Sequence, residues 1–135
     1  MFKRFAAAAA MTAMLAAPAV HAEDREMTKG EQRLAEMLEG RVAGEPRSCI
    51  STLPSRSLTV IDETAIVYES GDTIWVNYTR NPESLDEHDY LVIKKFGASR
   101  QLCRQDNVTT RDSGSNFFSG VIMLEDFVPY RRAEG

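Results

Sequence analysis

Thr64-Ala65-Ile66-Val67-Tyr68-Glu69, Ser70-Gly71-Asp72, Thr73-Ile74-Trp75-Val76-Asn77-Tyr78-Thr79 is the stretch from which the fold is read. Two runs rich in β-branched and aromatic residues flank a three-residue break that contains glycine, which is the pattern of a β-hairpin. In the second run Ile74, Val76 and Tyr78 alternate with Trp75 and Asn77, so one face is apolar and the other mixed.

Working outward, further short runs of the same kind lie at 58–61, turning at Asp62-Glu63, and at 90–96, ended by Gly97. Others lie at 101–103, at 107–110 and at 117–127, the last preceded by the turn Ser113-Gly114-Ser115. No helical crossovers separate them, so the pattern predicts antiparallel pairing and not a parallel α/β sheet. The expected fold is mainly β: a small antiparallel β-barrel or sandwich of six to seven strands with one N-terminal helix.

The helix is placed by Thr28 and Glu31, which have capping-box spacing, and by the stripe Leu34, Met37, Leu38 and Val42. Gly40 and Gly44 weaken its far end and Pro46 stops it. The expected organisation is therefore a signal peptide over 1–22, a polar segment and amphipathic helix over 23–47, a β-rich domain over 48–130 and a basic tail over 131–135.

The signal peptide rests on Met1-Phe2-Lys3-Arg4, an apolar run over 5–17, Pro18 and the exit Val20-His21-Ala22. A basic start, about a dozen apolar residues and a small-x-small exit describe a secretory signal, and the run is shorter than the roughly 20 residues needed to span a bilayer. Cleavage near Ala22 would place the chain in the periplasm or outside the cell, with no membrane anchor left. The 113 residues that remain of 135 suit a single domain. With Lys3 and Arg4 removed, 14 basic residues face 20 acidic ones, a net charge of −6. That balance opposes nucleic-acid binding, which needs clustered Lys and Arg.

Two cysteines, Cys49 and Cys103, survive cleavage. In an oxidising compartment an isolated pair reads as one structural disulfide, with two buried thiols or a metal pair as the alternatives.

The search for catalytic chemistry finds little. His88 is the one histidine beyond the signal, so a multi-histidine zinc site is excluded. Its neighbours Glu83, Asp86, Glu87 and Asp89 lack the spacing and central glycine of an EF-hand, and read as a solvated turn. There is no G-x-S-x-G elbow and no phosphate-binding glycine loop. No catalytic residue, metal ligand or cofactor is therefore assigned. The candidate binding surface is Trp75, together with Ser113, Ser115 and Asn116 of a polar loop. The run ending in Phe117-Phe118 through Phe127 reads as core.

Several short motifs follow one another in order: Gly40-Arg41-Val42-Ala43-Gly44-x-Pro46, Ser48-Cys49-Ile50-Ser51, Ile61-Asp62 with Thr64-Ala65-Ile66, and Val76-Asn77. Gln101-Leu102-Cys103 with Asp106 and Leu124-x-x-Phe127-x-Pro129 complete the set. In this order the chain resembles an uncharacterised family, a domain of unknown function, of small exported bacterial proteins. The resemblance implies a signal peptide, one small domain and no assigned activity. It also implies two further cysteines, near Asn81-Pro82 and near Ile122, which this sequence lacks. If each native pair used a missing position, Cys49 and Cys103 would be left as thiols. Asp62, Asn77 and Asp106 read as turn and strand-end residues.

The expected function is a non-enzymatic exported β module that binds a protein or an envelope or cell-wall component. The alternative is a periplasmic inhibitor of a lysozyme-like hydrolase, with Asp112-Ser113-Gly114-Ser115-Asn116 as the inserting loop. A hydrolase using the acidic turn at His88 stands third.

Overall fold

The computed structural model describes residues 26–52, 58–94 and 100–133. The expected signal peptide lies outside the described residues. The chain is mainly β and antiparallel throughout, with one α-helix, and its sheets do not close into a barrel.

Helix α1, Lys29–Met37, begins as its sequence requires. Thr28 Oγ1 accepts from the Glu31 N–H at 3.1 Å and Glu31 Oε2 accepts from the Thr28 N–H at 2.9 Å. This satisfies two of the donors that a helix start leaves without partners. The helix ends earlier than its apolar stripe suggests. Gly40 takes φ 74, a conformation that favours glycine, and Arg41–Ala43 leaves as strand β1. Val42 is therefore 60% exposed on a strand and is not part of the helical stripe.

Nine more strands follow among the described residues: β2 Cys49–Ser51, β3 Thr59–Ile61, β4 Ala65–Ser70, β5 Thr73–Asn77, β6 Asp89–Lys94, β7 Gln101–Cys103, β8 Asn107–Asp112, β9 Phe118–Ile122 and β10 Phe127–Arg132. Ten strands replace the expected six to seven for two reasons. β1 and β2 are three-residue strands, too short to show a period, and the run 117–127 is two strands, not one. The sheet also runs past the expected domain edges. β1 lies before Ser48, and Arg131 and Arg132 continue β10 opposite Val42 and Arg41.

The main sheet has the order β1-β10-β5-β4-β3, beside a two-stranded sheet β2-β7 and a three-stranded sheet β6-β8-β9. The β4–β5 hairpin turns through two residues, with Gly71 at φ 58 and Ser70 opposite Thr73. β4 is buried on both faces, which explains its unbroken run Ala65-Ile66-Val67-Tyr68. On one side Ala65, Val67, Ile74 and Val76 pack with Leu34 of α1, flanked by Met37 and Leu38. Gly30 lets the helix approach: a Cβ there would lie 2.3 Å from the Asp62 carbonyl oxygen.

On the other side Ile66, Tyr68 and Phe127 pack with Ile50 and Leu102 of the small sheet and with Val108 and Ile122 of the three-stranded sheet. Leu85, 1% exposed, anchors the intervening acidic turn in this core. Cys49 and Cys103 stand directly opposite each other on β2 and β7 and form a disulfide. The pair thus needs no further cysteine.

Candidate functional site

The three-stranded sheet turns one face to the core and leaves the other uncovered among the described residues. Its outer face forms cross-strand rows. Tyr90 stands opposite Arg111, which stands opposite Phe118; Val92 stands opposite Thr109, which stands opposite Val121; Lys94 stands opposite Asn107. Tyr90, Phe118 and Val121 are 41%, 60% and 54% exposed, and Phe117 beside them is 75% exposed. A hollow of about 380 Å³ runs across this face between Val92, Lys94, Thr109, Arg111, Phe118 and Val121.

A bulge creates the arrangement. Phe118 and Val121 are three residues apart, so a regular strand would send them to opposite faces. The register shifts between Thr110 and Arg111, Gly120 standing opposite Thr110 and Phe118 opposite Arg111, so that Ser119 is the extra residue. Ser119 Oγ meets Asp89 Oδ2 at 2.7 Å and Thr110 Oγ1 at 2.9 Å, which holds the bulge in place.

The loop 113–116 closes one end of this face. Asp112 Oδ1 accepts from the Gly114 N–H, the Ser115 N–H and Ser115 Oγ at 2.9, 2.7 and 3.0 Å. These bonds, chiefly those of Ser115, hold the Asp112 carboxyl below the usual carboxylate range. Ser113 Oγ donates to the His88 carbonyl, the Tyr90 hydroxyl donates to Asn116 Oδ1, and Arg111 donates to the Asn116 carbonyl. Asn116 adopts φ 62, which asparagine tolerates better than most residues. The loop is thus joined to the aromatic row by two of that row's own side chains, Tyr90 and Arg111.

The expected binding residues therefore divide. Ser113, Ser115 and Asn116 sit together at the rim of the exposed face. Trp75 does not join them: it is half-buried on β5, packed against the main core, with the Arg47 guanidinium 5.9 Å from its ring centroid. Phe117 and Phe118, expected in the core, are on the surface, whereas Ile122, Leu124 and Phe127 are buried.

The acidic turn spreads its groups apart. His88 has an 80% exposed side chain, Asp86 accepts from the His88 N–H at 2.8 Å, and Glu87 lies 3.7 Å from Arg33 of α1. Asn77 and Asp106 serve the backbone. Asp106 Oδ2 accepts from the Cys103 N–H at 2.8 Å. Fully buried Asn77 donates to the Glu125 carbonyl at 2.7 Å and accepts from the Glu125 N–H at 2.9 Å.

Compared with known proteins, the chain matches no family model, no curated protein and no solved structure. No helix among the described residues is long and apolar enough to cross a membrane.

Proposed function

We propose that the chain is a non-enzymatic, exported, sandwich-like module that binds a protein of the cell envelope through the outer face of β6-β8-β9. The observation that carries this reading is the contiguous exposure of Tyr90, Phe117, Phe118 and Val121 around a shallow hollow. Large exposed apolar patches mark interaction surfaces, and aromatic residues with arginine dominate interface energetics. Export is supported by the basic start, apolar run and small-residue exit of 1–22, and the disulfide suits an oxidising compartment.

Inhibition of a lysozyme-like hydrolase through the loop 112–116 is less well supported. Much of that loop's polar capacity is already directed inward, to its own N–H groups, to Tyr90 and to the His88 carbonyl.

The test is crosslinking capture from the native envelope at about 0.15 M salt, where steering by net charge is largely screened. Wild-type chain would be compared with Phe118→Ser and Val121→Ser. A saturable partner that both variants lose is the expected outcome. Equal capture by both variants would remove the outer face from the proposal.

A further inference from the structure

Part of the main core is left unsealed on the side away from the aromatic face. Leu58 and Val60 at β3, and Leu91 and Ile93 on β6, pack against the buried cluster yet are only half-buried. All four line a groove of about 640 Å³ whose rim also includes Glu87, His88, Asp89 and Tyr90, the last of which reaches the aromatic face as well. β3 ends the five-stranded sheet and β6 ends the three-stranded one, so both groove walls are strands with no further strand partner among the described residues.

Exposed edges are ordinarily protected by shortness, by charge, by proline or by a bulge. β3 is short, but β6 has six residues, and its interior Tyr90-Leu91-Val92-Ile93 carries none of these protections.

We propose that this groove receives an extended peptide segment of a partner protein as an added strand between β3 and β6. Two edge strands that line one groove offer backbone donors and acceptors at the spacing of a polypeptide, which is the chemistry of strand addition. The half-buried floor calls for apolar side chains at alternate positions. β6 sets the length at about six residues, or roughly 20 Å of extended chain. Near α1 the groove mouth carries Glu87 and Asp89 against the single cation Arg33, which Glu87 already engages, so a Lys or Arg of the segment belongs at that end. A second copy of this chain fits poorly: its β6 would bring a whole sheet into a groove walled on both sides.

The test is selection of a random heptapeptide library on the intact, disulfide-bonded chain, followed by amide hydrogen exchange. Selected peptides should alternate apolar and polar residues and slow exchange of the β3 and β6 amides by about tenfold or more. N-methylation of alternate backbone nitrogens in the peptide should abolish binding. Leu58→Lys and Thr59→Lys, each checked for an unchanged melting temperature, should weaken it about tenfold, since a lysine on an edge strand blocks added pairing. Phe118→Ser, on the other face, should leave it intact.

Failure to select any peptide would overturn the proposal. So would undiminished binding of the N-methylated peptide, or loss of binding in Phe118→Ser. Protection of the β6 amides in a dimer without peptide would assign the edge to a second copy instead.

Discussion

Replacing Asn77 by alanine should be among the most damaging single changes in this chain, although Asn77 is polar. It is the last residue of β5, fully buried, between Ile66 of β4 and Phe127 of β10. Its amide meets both backbone groups of Glu125, at 2.7 and 2.9 Å, and so fixes the crossing from β9 to β10. The Glu125 side chain in turn meets Arg80 at 2.7 Å and Arg104 at 3.2 Å, so displacing that crossing loosens two ion pairs. A net hydrogen bond contributes about 1 kcal/mol and a stranded buried group costs about 1–3 kcal/mol. Two lost bonds, with water reaching the partly exposed Glu125, give about 3 kcal/mol. At about 4–8 °C per kcal/mol for a domain near this size, the melting temperature should fall by about 12–24 °C. Urea unfolding followed by the fluorescence of Trp75 measures the change directly. A loss below about 1 kcal/mol with an unchanged urea slope would refute the clamp.

Three further outcomes follow from the same structure. The Cys49–Cys103 disulfide spans a sequence separation of 54 residues, for which chain entropy gives about 4 kcal/mol; the double serine variant should lose about this much in urea unfolding, and a loss under about 1 kcal/mol would contradict the entropic account. Asp112 has a lowered folded pKa, so its contribution is fully present above the unfolded value near 3.9 and disappears as pH falls through the folded value. The amide resonances of Gly114 and Ser115 should therefore titrate with a midpoint below about 3.9, and a midpoint at or above that value would contradict the turn geometry. Phe118 is 60% exposed, so Phe118→Ser should change stability by no more than about 1 kcal/mol, in contrast to its expected effect on partner capture.

Much of the fold was legible because it depends on local pattern. The capping box at Thr28 and Glu31, the hairpin around Gly71 and the turn at 113–115 are set by residues within a few positions of one another. The short pairings were not. β1 exists because β10 offers an edge to Arg41–Ala43, and β2 because Cys49–Ser51 lies opposite Gln101–Cys103. Three residues carry no periodic signal, and their partners lie dozens of positions away. Val42 continues the helical stripe numerically, but the backbone has already turned at Gly40, so the helix is shorter than its pattern.

The candidate site was hidden by a different cause. Phe117-Phe118 through Phe127 reads as one apolar run, and an apolar run is normally assigned to the core. Where a strand is regular, alternation separates buried from exposed positions, and here Ser119 interrupts the alternation. Phe118 and Val121 then share the outer face while Ile122 keeps its place in the core. Nothing in the spacing of Phe118 and Val121 announces this, yet a small polar residue followed by glycine, Ser119-Gly120, inside an otherwise apolar strand is the kind of signal that marks a bulge. Bulges gather at sheet edges and binding sites because they re-aim a side chain without breaking the sheet. Deleting Ser119 should therefore restore a regular ladder in which Phe118 stays opposite Arg111 on the outer face. The variant loses the hydrogen bonds of Ser119 Oγ to Asp89 and Thr110, at a cost of about 1 kcal/mol each. If the deletion variant stays folded but no longer captures a partner, pairing with Arg111 is not what holds Phe118 on the surface.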